Sequence, residues 1–170
     1  MPLGPFQIVV VPFRRVGAQI EFAVLCRQDM DVWQAVAGDG KSGESPQQAA
    51  VREACEELGL DRTVALCPLP TTASIPARFF ADRDSWPTGT YVVPEYSFAA
   101  DLNDVGIKLS DERTALQWPD CKAASHLLRF DSNRTAVGGL HERRLAADLA
   151  RRVECRPASR SWGSTPRQTA

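Results

Sequence analysis

The chain has 170 residues, of which 44% are hydrophobic and 24% are charged, a balance typical of one globular domain with a single core. Its 20 basic and 21 acidic residues give a net charge of −1, which excludes a broad basic surface for nucleic acid or for an anionic membrane. No apolar run reaches the roughly 18–20 residues that cross a bilayer, and the N-terminal run lacks the basic residue of a signal peptide.

Two β-rich runs open the chain, Phe6–Phe13 and Gln19–Arg27. A polar turn that contains Gly17 separates them, so they are predicted to form a hairpin. Three further strands are predicted later in the chain: Thr63–Leu69, Gly89–Asp101 and Thr114–Trp118. Pro94 predicts an edge position or a bulge within the second of these, because proline cannot donate a ladder hydrogen bond.

A helix is predicted over Pro46–Leu58, where Ser45 is a helix cap, Gln48 completes a capping box and Gly59 ends the helix. A longer helix is predicted over residues 131–154, capped by Asp131 or Ser132. Its apolar stripe comprises Val137, Leu140, Leu145, Leu149 and Val153. The fold class is therefore α/β (α+β), in an α/β/α or α+β layered arrangement. Residues 1–155 are predicted to form the domain and residues 156–170 a disordered tail.

The first predicted helix divides into an apolar face and an acidic face. At 100° per residue, five side chains fall on the face that is expected to be buried: Ala50, Val51, Ala54, Cys55 and Leu58. Glu53, Glu56 and Glu57 cluster on the other side, away from the core, where their charges repel one another. A hard divalent cation such as Mg²⁺ would relieve this repulsion, although a solvent-exposed acidic face is the simpler interpretation of three glutamates alone.

The residues before this helix also fit a relaxed phosphate-binding loop. Four residues separate Ala35 from Gly40-Lys41-Ser42, with alanine in place of the first glycine of the pattern. Such a loop requires a helix that begins at the lysine, yet the best cap is Ser45 and Pro46 would fall inside the first turns. Lys41 is therefore interpreted as a solvated turn residue.

The spacing over the whole stretch resembles the signature of the Nudix hydrolase family. From Gly38 the pattern runs through Glu44 and the Arg52-Glu53-Ala54 triplet to Glu56-Glu57 and Gly59-Leu60, and every fixed position is filled. The resemblance implies a loop–helix–loop motif on a mixed sheet between helices. It also implies hydrolysis of a nucleoside diphosphate linked to another group, with Mg²⁺ as cofactor and Mn²⁺ as the alternative.

The resemblance also assigns expected roles within the motif. Glu53 and Glu57 match regular metal ligands, and Glu56 matches a ligand or water-orienting position. The backbone carbonyl of Gly38 matches one that often completes the metal site. The catalytic set implied by the motif comprises four residues: Glu44, Arg52, Glu56 and Glu57. Within it, the arginine and the first glutamate match a pair that braces the loop against the helix.

A finer resemblance is to the dATP or dihydroneopterin triphosphate pyrophosphohydrolase branch. Trp33 begins a Trp-Gln pair before the loop, and Ser132 and Asn133 begin a segment that approaches the substrate in that branch. Glu112 is an additional candidate metal ligand or base, and Arg27 is a candidate phosphate contact. The structural alternatives stay open: a core tryptophan, a plain helix cap and a turn acid. The identity of the general base is left open between Glu56, Glu112 and another acid.

Together these resemblances imply a pyrophosphohydrolase that converts a dATP-like nucleoside triphosphate or dihydroneopterin triphosphate into a monophosphate and pyrophosphate. The alternatives are an ADP-ribose or dinucleoside-polyphosphate hydrolase, and a non-catalytic binding module of the same fold. The expected partner is the small-molecule triphosphate, with no nucleic acid and no membrane; a homodimer is left open. Five cysteines without a Cys-x-x-Cys pair predict free thiols in a reducing, cytoplasmic compartment.

Overall fold

The computed structural model describes residues 3–145, in which eight strands form two sheets flanked by three helices. The strands are β1 (Leu3–Val16), β2 (Gln19–Phe22), β3 (Val24–Arg27), β4 (Val32–Gln34), β5 (Val36–Lys41), β6 (Leu66–Pro76), β7 (Val92–Asp101) and β8 (Arg113–Gln117). The helices are α1 (Pro46–Leu58), α2 (Cys121–Leu127) and α3 (Asp131–Leu145). None of the helices in this range is both long enough and apolar enough to span a bilayer.

The larger sheet is built around β1, which pairs antiparallel with β5 along its first part and with β2 along its last part. Its other side pairs in parallel with β7, and β6 closes the sheet as an edge strand. The smaller sheet has the order β4-β3-β8, antiparallel throughout. One parallel pair among antiparallel pairs makes the larger sheet mixed. This mixed sheet, flanked by helices, confirms the predicted α/β (α+β) class.

Two apolar clusters lie on the two faces of the larger sheet. Helix α1 contributes Ala50, Ala54 and Leu58 to one cluster, and α3 contributes Val137 and Leu140 to the other. This arrangement follows from alternation along β1, whose successive side chains point to opposite faces of the sheet. The helical layers therefore lie on both sides of the sheet, with α1 alone on the face that carries the signature.

The limits predicted for α1 are confirmed, because the local signals agree. Ser45 accepts from the backbone N–H of Gln48, and the Gln48 side chain accepts from the Ser45 backbone N–H at 2.8 Å. Gly59 ends the helix in the left-handed region at φ 64°, which glycine adopts without strain. The predicted burial of Val51 and Cys55 is wrong, since both are partly exposed while Ala49 is fully buried.

The strand predictions need three corrections. The run Gln19–Arg27 is not one strand, because β2 stays in the larger sheet whereas β3 joins the smaller one. The Gly-rich segment of β5 was expected to be a loop, yet it pairs with β1. The predicted strand Thr63–Leu69 begins only at Leu66 and extends to Pro76.

Pro94 lies in β7, which is an interior strand rather than an edge. Its pairing with β1 begins at Glu95, so the proline has a paired strand on one side only. Helix α2 was not predicted. Helix α3 begins at Asp131, so Asp131 and Ser132 lie in its first turn rather than at a cap position. The remainder of the predicted second helix and the tail 156–170 lie outside the described residues.

Candidate active site

The loop before α1 is fastened to the helix by a forked ion pair. Arg52 donates from Nε and Nη2 to the two carboxylate oxygens of Glu44, each at 3.0 Å, and also to the backbone oxygen of Asp39 at 2.9 Å. Glu44 accepts in addition from the backbone N–H of Lys41 at 3.0 Å. These hydrogen bonds lower the pKa of Glu44 below its ordinary value, so the carboxylate stays ionised. Arg52 and Glu44 thus have the geometry of a structural brace.

The same arginine contacts two acids of the signature. Its Nη1 atom donates to Glu53 and, at 3.2 Å, to Glu56. The side chain of Glu53 is 14% exposed, whereas that of Glu56 is 55% exposed and faces solvent. Burial raises the pKa of Glu53, and the hydrogen bond from Arg52 opposes that rise. Gly38 lies directly against this carboxylate, since a Cβ at that position would overlap the Glu53 side chain.

Glu57 lies inside the protein, which corrects the expectation that all three acids face away from the core. The residue is 4% exposed, and its Oε1 atom accepts from Nη2 of the equally buried Arg113. The reason is that the segment leading to β8 folds back over the end of α1. The backbone N–H of Lys108 donates to the backbone oxygen of Leu58, and the backbone N–H of Ser110 donates to the backbone oxygen of Glu57. Burial raises the pKa of Glu57 to about 7, against the opposing charge of Arg113.

The repulsion between the clustered acids, which a divalent cation was expected to relieve, is already reduced by two arginines. The guanidinium of Arg113 neutralises Glu57 from behind, and Arg52 neutralises Glu53. In the amide orientation that satisfies both partners, the oxygen of Gln34 accepts from both terminal nitrogens of Arg113 at 3.1 Å. Helix periodicity could not show this balance, because the second arginine arrives from a distant strand. The signal available in the sequence was the basic residue directly after Glu112.

Arg27 and Glu112 meet at a cleft next to this buried pair. The cleft has a volume of about 350 Å³ and is lined by Arg27, Gln28, Asp29, Glu112 and Arg113. Arg27 forms a forked pair with Asp29 at 2.8 and 2.6 Å, while Glu112 is exposed. Both residues lie close enough to Glu57 to interact with it electrostatically. The structure therefore brings these two candidates to one opening beside the signature.

The other candidate substrate contacts lie together at the start of α3. Asn133 is buried and accepts from the backbone N–H of Ala35 at 2.9 Å, and its amide nitrogen donates to Ser132 at 3.4 Å. Trp33 is half-buried against the α3-side core, and its backbone oxygen accepts from Arg129 at 2.8 Å. These contacts tie the chain before β5 to α3, so Trp33 and Asn133 have a structural role whatever else they contact.

The acids of α1 suit a hard divalent cation in their chemistry. Carboxylate oxygens are the ligands that Mg²⁺ prefers, and Glu57 Oε2 is buried without a hydrogen-bond partner among residues 3–145. Within that same range, no three acid, histidine or cysteine side chains converge closely enough to enclose an ion. Arg52 and Arg113 instead hold Glu53 and Glu57 in ion pairs. Glu53, Glu56 and Glu57 remain the candidate residues for holding such a cation.

The phosphate-loop alternative does not fit the geometry. Lys41 is the last residue of β5 rather than a turn residue, and the helix begins five residues later, at Pro46. Gly40 is required for packing, since a Cβ there would overlap the ring of Phe6. The amides at the start of α1 therefore do not surround Lys41 as a phosphate-binding loop requires.

Comparison with known proteins agrees with this site. Residues 7–137 match the NUDIX domain family. The dihydroneopterin triphosphate diphosphatase of Escherichia coli K12 is 31% identical over 135 residues, which are 78% of this chain and 89% of that protein. A crystal structure described as a NUDIX hydrolase from Listeria monocytogenes is 43% identical with a TM-score of 0.77, and the match covers 85% of this chain and 97% of that one.

The structure of the Escherichia coli dihydroneopterin triphosphate pyrophosphohydrolase is 30% identical with a TM-score of 0.64, over 79% of this chain and 93% of that one. The match therefore extends well beyond the signature, through the sheet and into α3, and it confirms the resemblance to that branch. The chain belongs to the NUDIX family and is a hydrolase that acts on pyrophosphate bonds.

Proposed function

We propose that the chain is a Mg²⁺-dependent pyrophosphohydrolase that converts dihydroneopterin triphosphate, or a dATP-like nucleoside triphosphate, into the monophosphate and pyrophosphate. Mn²⁺ is the alternative cofactor. The Escherichia coli relative with this activity in its name supports the substrate class. Four free thiols among the described residues, Cys26, Cys55, Cys67 and Cys121, support a reducing, cytoplasmic location.

The observation that carries the proposal is the arrangement of the acids on α1. Glu57 is buried, the side chain of Glu53 is only 14% exposed, and Glu56 is exposed one turn from Glu53. Glu57 keeps one buried carboxylate oxygen without a partner in residues 3–145, which costs free energy unless a ligand satisfies it. An acidic face that served only for solubility would not bury one carboxylate and cover most of a second.

The residues around the acids suit phosphate chemistry. A bound Mg²⁺ ion supplies positive charge to phosphate oxygens and lowers the pKa of an attacking water. Glu56 and Glu112 are exposed carboxylates, and either can accept the proton of that water. Arg27, at the mouth of the cleft, can exchange Asp29 for a phosphate oxygen, since a guanidinium binds both groups in the same forked geometry. Arg52 and Glu44 hold the loop in place.

Two other functions give different experimental results. An ADP-ribose or dinucleoside-polyphosphate hydrolase would act on a substrate with a second nucleoside or ribose beyond the diphosphate. A binding module of the same fold would bind the nucleotide without turnover. All three signature acids are present in this chain, which favours turnover over binding alone.

A substrate panel tests the proposal. The purified chain is incubated with Mg²⁺ and dihydroneopterin triphosphate, dATP, other nucleoside triphosphates, ADP-ribose and diadenosine tetraphosphate, and products are separated by chromatography. We expect the highest kcat/KM for one of the first two, with pyrophosphate as the phosphate product. The Glu53→Gln variant serves as a control for contaminating phosphatases. A preference for ADP-ribose or the dinucleotide, or the release of orthophosphate, contradicts the proposal.

A further inference from the structure

Arg113 is a buried cation directly behind Glu57. The two side chains are only 3% and 5% exposed. An isolated buried charge is expensive, so each group makes the burial of the other tolerable. Removing the guanidinium would leave the carboxylate without its counter-charge.

The position of Arg113 is fixed at its backbone and at its side chain. Its backbone N–H donates to Ser110 at 3.1 Å, and Ser110 in turn donates to the backbone oxygen of Glu57 at 3.1 Å. At the other end, Gln34 accepts from both terminal nitrogens of the guanidinium at 3.1 Å. The guanidinium therefore lies between an amide on β4 and a carboxylate on α1, with little freedom to move away from either.

The two oxygens of Glu57 differ as a result. Oε1 accepts from Arg113, whereas Oε2 is buried and has no partner among residues 3–145. A carboxylate held through one oxygen keeps a defined orientation for the other. In metal sites, outer partners of this kind orient the ligand and change metal affinity by about 10–100-fold.

We propose that Arg113 is a positioning residue: it holds Glu57 through one oxygen and leaves the other free for a divalent cation, while Gln34 holds the guanidinium in place. The inference rests on the proposed function. It differs from a competing role for Arg113, in which the guanidinium occupies the place of the cation and its removal would make cation binding tighter. The two roles predict opposite effects on affinity.

The test measures the affinity for Mn²⁺ alone, by electron paramagnetic resonance of the free ion, for four chains: the wild type, Arg113→Met, Arg113→Lys and Arg144→Met. We expect R113M to bind Mn²⁺ about 10–100-fold more weakly than the wild type. R113K keeps the positive charge and one donor nitrogen, so its affinity for Mn²⁺ should lie between those of the wild type and R113M. R144M is a matched control, because Arg144 is also buried and paired, with Asp101, on the α3 side of the sheet. Its affinity should equal that of the wild type.

The outcomes separate the inference from the proposed function. A wild-type chain that binds no Mn²⁺ overturns both. If the wild type binds Mn²⁺ and the R113M variant binds it equally well or more tightly, the inference alone is overturned. Circular dichroism shows which variants fold. Where R113M does not fold, R113K and Gln34→Met decide, and affinities equal to that of the wild type in both overturn the inference.

Discussion

At the scale of single residues, Glu57 combines two properties that usually exclude one another. It is buried, which raises its pKa to about 7, and it keeps one carboxylate oxygen without a partner in the described range. Arg113 makes this burial tolerable from one side only. Burying a carboxylate oxygen without a partner costs free energy. Such a cost is typical of a functional site rather than of a core.

Replacing Glu57 by Gln is therefore expected to lower kcat by about a hundredfold or more, because an amide cannot supply the negative charge that the site requires. The amide has the shape of the carboxylate and can still accept from Arg113, so the fold should persist, as near-ultraviolet circular dichroism can show. Glu142→Gln is the matched control, since Glu142 is exposed on α3. Wild-type turnover in E57Q would remove Glu57 from the site.

Gly38 permits the approach of Glu53 to β5, because no side chain larger than hydrogen fits between them. Gly38→Ala should displace that carboxylate, reduce kcat and destabilise the fold by about 1–3 kcal/mol through overpacking. Thermal unfolding and steady-state kinetics measure the two effects. Gly106→Ala is the control, since nothing lies within 4 Å of a Cβ at that position. If G38A and G106A have the same kcat and the same thermal stability, the close approach of Glu53 to Gly38 is not needed for function.

At the scale of secondary structure, the sequence predicted α1 correctly and β5 not at all. The limits of α1 are encoded locally by Ser45, Gln48 and Gly59. In β5 the glycines suggested a loop, but Gly38 and Gly40 are required by the neighbours that pack against them. Those neighbours, a helix side chain and a ring on β1, are distant in sequence, so local patterns could not reveal them.

The same limit explains the error at Glu57. Helical periodicity placed its side chain on the acidic face, and that placement assumed solvent on that side of α1. The segment before β8 covers this side instead, and its hydrogen bonds to Leu58 and Glu57 depend on the tertiary fold. The acids could thus be named from their spacing, whereas their burial and their arginine partners could not.

The loop between β5 and α1 gives a prediction at this scale. The backbone N–H of Lys41, not its side chain, donates to Glu44 and keeps the loop closed. Lys41→Ala should therefore leave kcat and KM close to those of the wild type, whereas Arg52→Met, which removes the forked pair, should lower kcat. Steady-state kinetics on the preferred substrate compare the two variants. A collapse of activity in K41A would restore the phosphate-binding lysine.

At the scale of the whole molecule, the sheet carries a second buried acid on the face opposite to α1. Glu95 on β7 is 3% exposed, and its Oε1 atom has no partner in the range 3–145. Burial raises its pKa, and a hydrogen bond with Ser132 opposes the rise. This acid therefore links the stability of the whole domain to pH.

The sign of that link follows from the direction of the shift. The ordinary pKa of a glutamate is about 4.3, and the folded state raises the value for Glu95. The stabilisation from the protonated form is complete below the unfolded-state pKa and is lost as pH rises through the folded-state pKa. The Glu95→Gln variant has no carboxylate at this position, so it does not lose stability in this way. Relative to the wild type, its free energy of unfolding should therefore increase as pH rises from about 4.3.

Urea unfolding of wild type and E95Q at a series of pH values measures this difference. The Glu142→Gln variant is again the control, because it removes a carboxylate from the exposed surface of α3. Parallel curves for E95Q and the wild type would show that Glu95 does not titrate differently in the folded state.

The central claim is that the acids of α1 hold a divalent cation although arginines already partner all three of them. Isothermal titration calorimetry with Mg²⁺ tests this claim most directly. The wild type is compared with a double variant that carries Glu53→Gln and Glu57→Gln. The account predicts saturable binding by the wild type and its loss in the double variant. Equal binding by both chains, or none by the wild type, would contradict it.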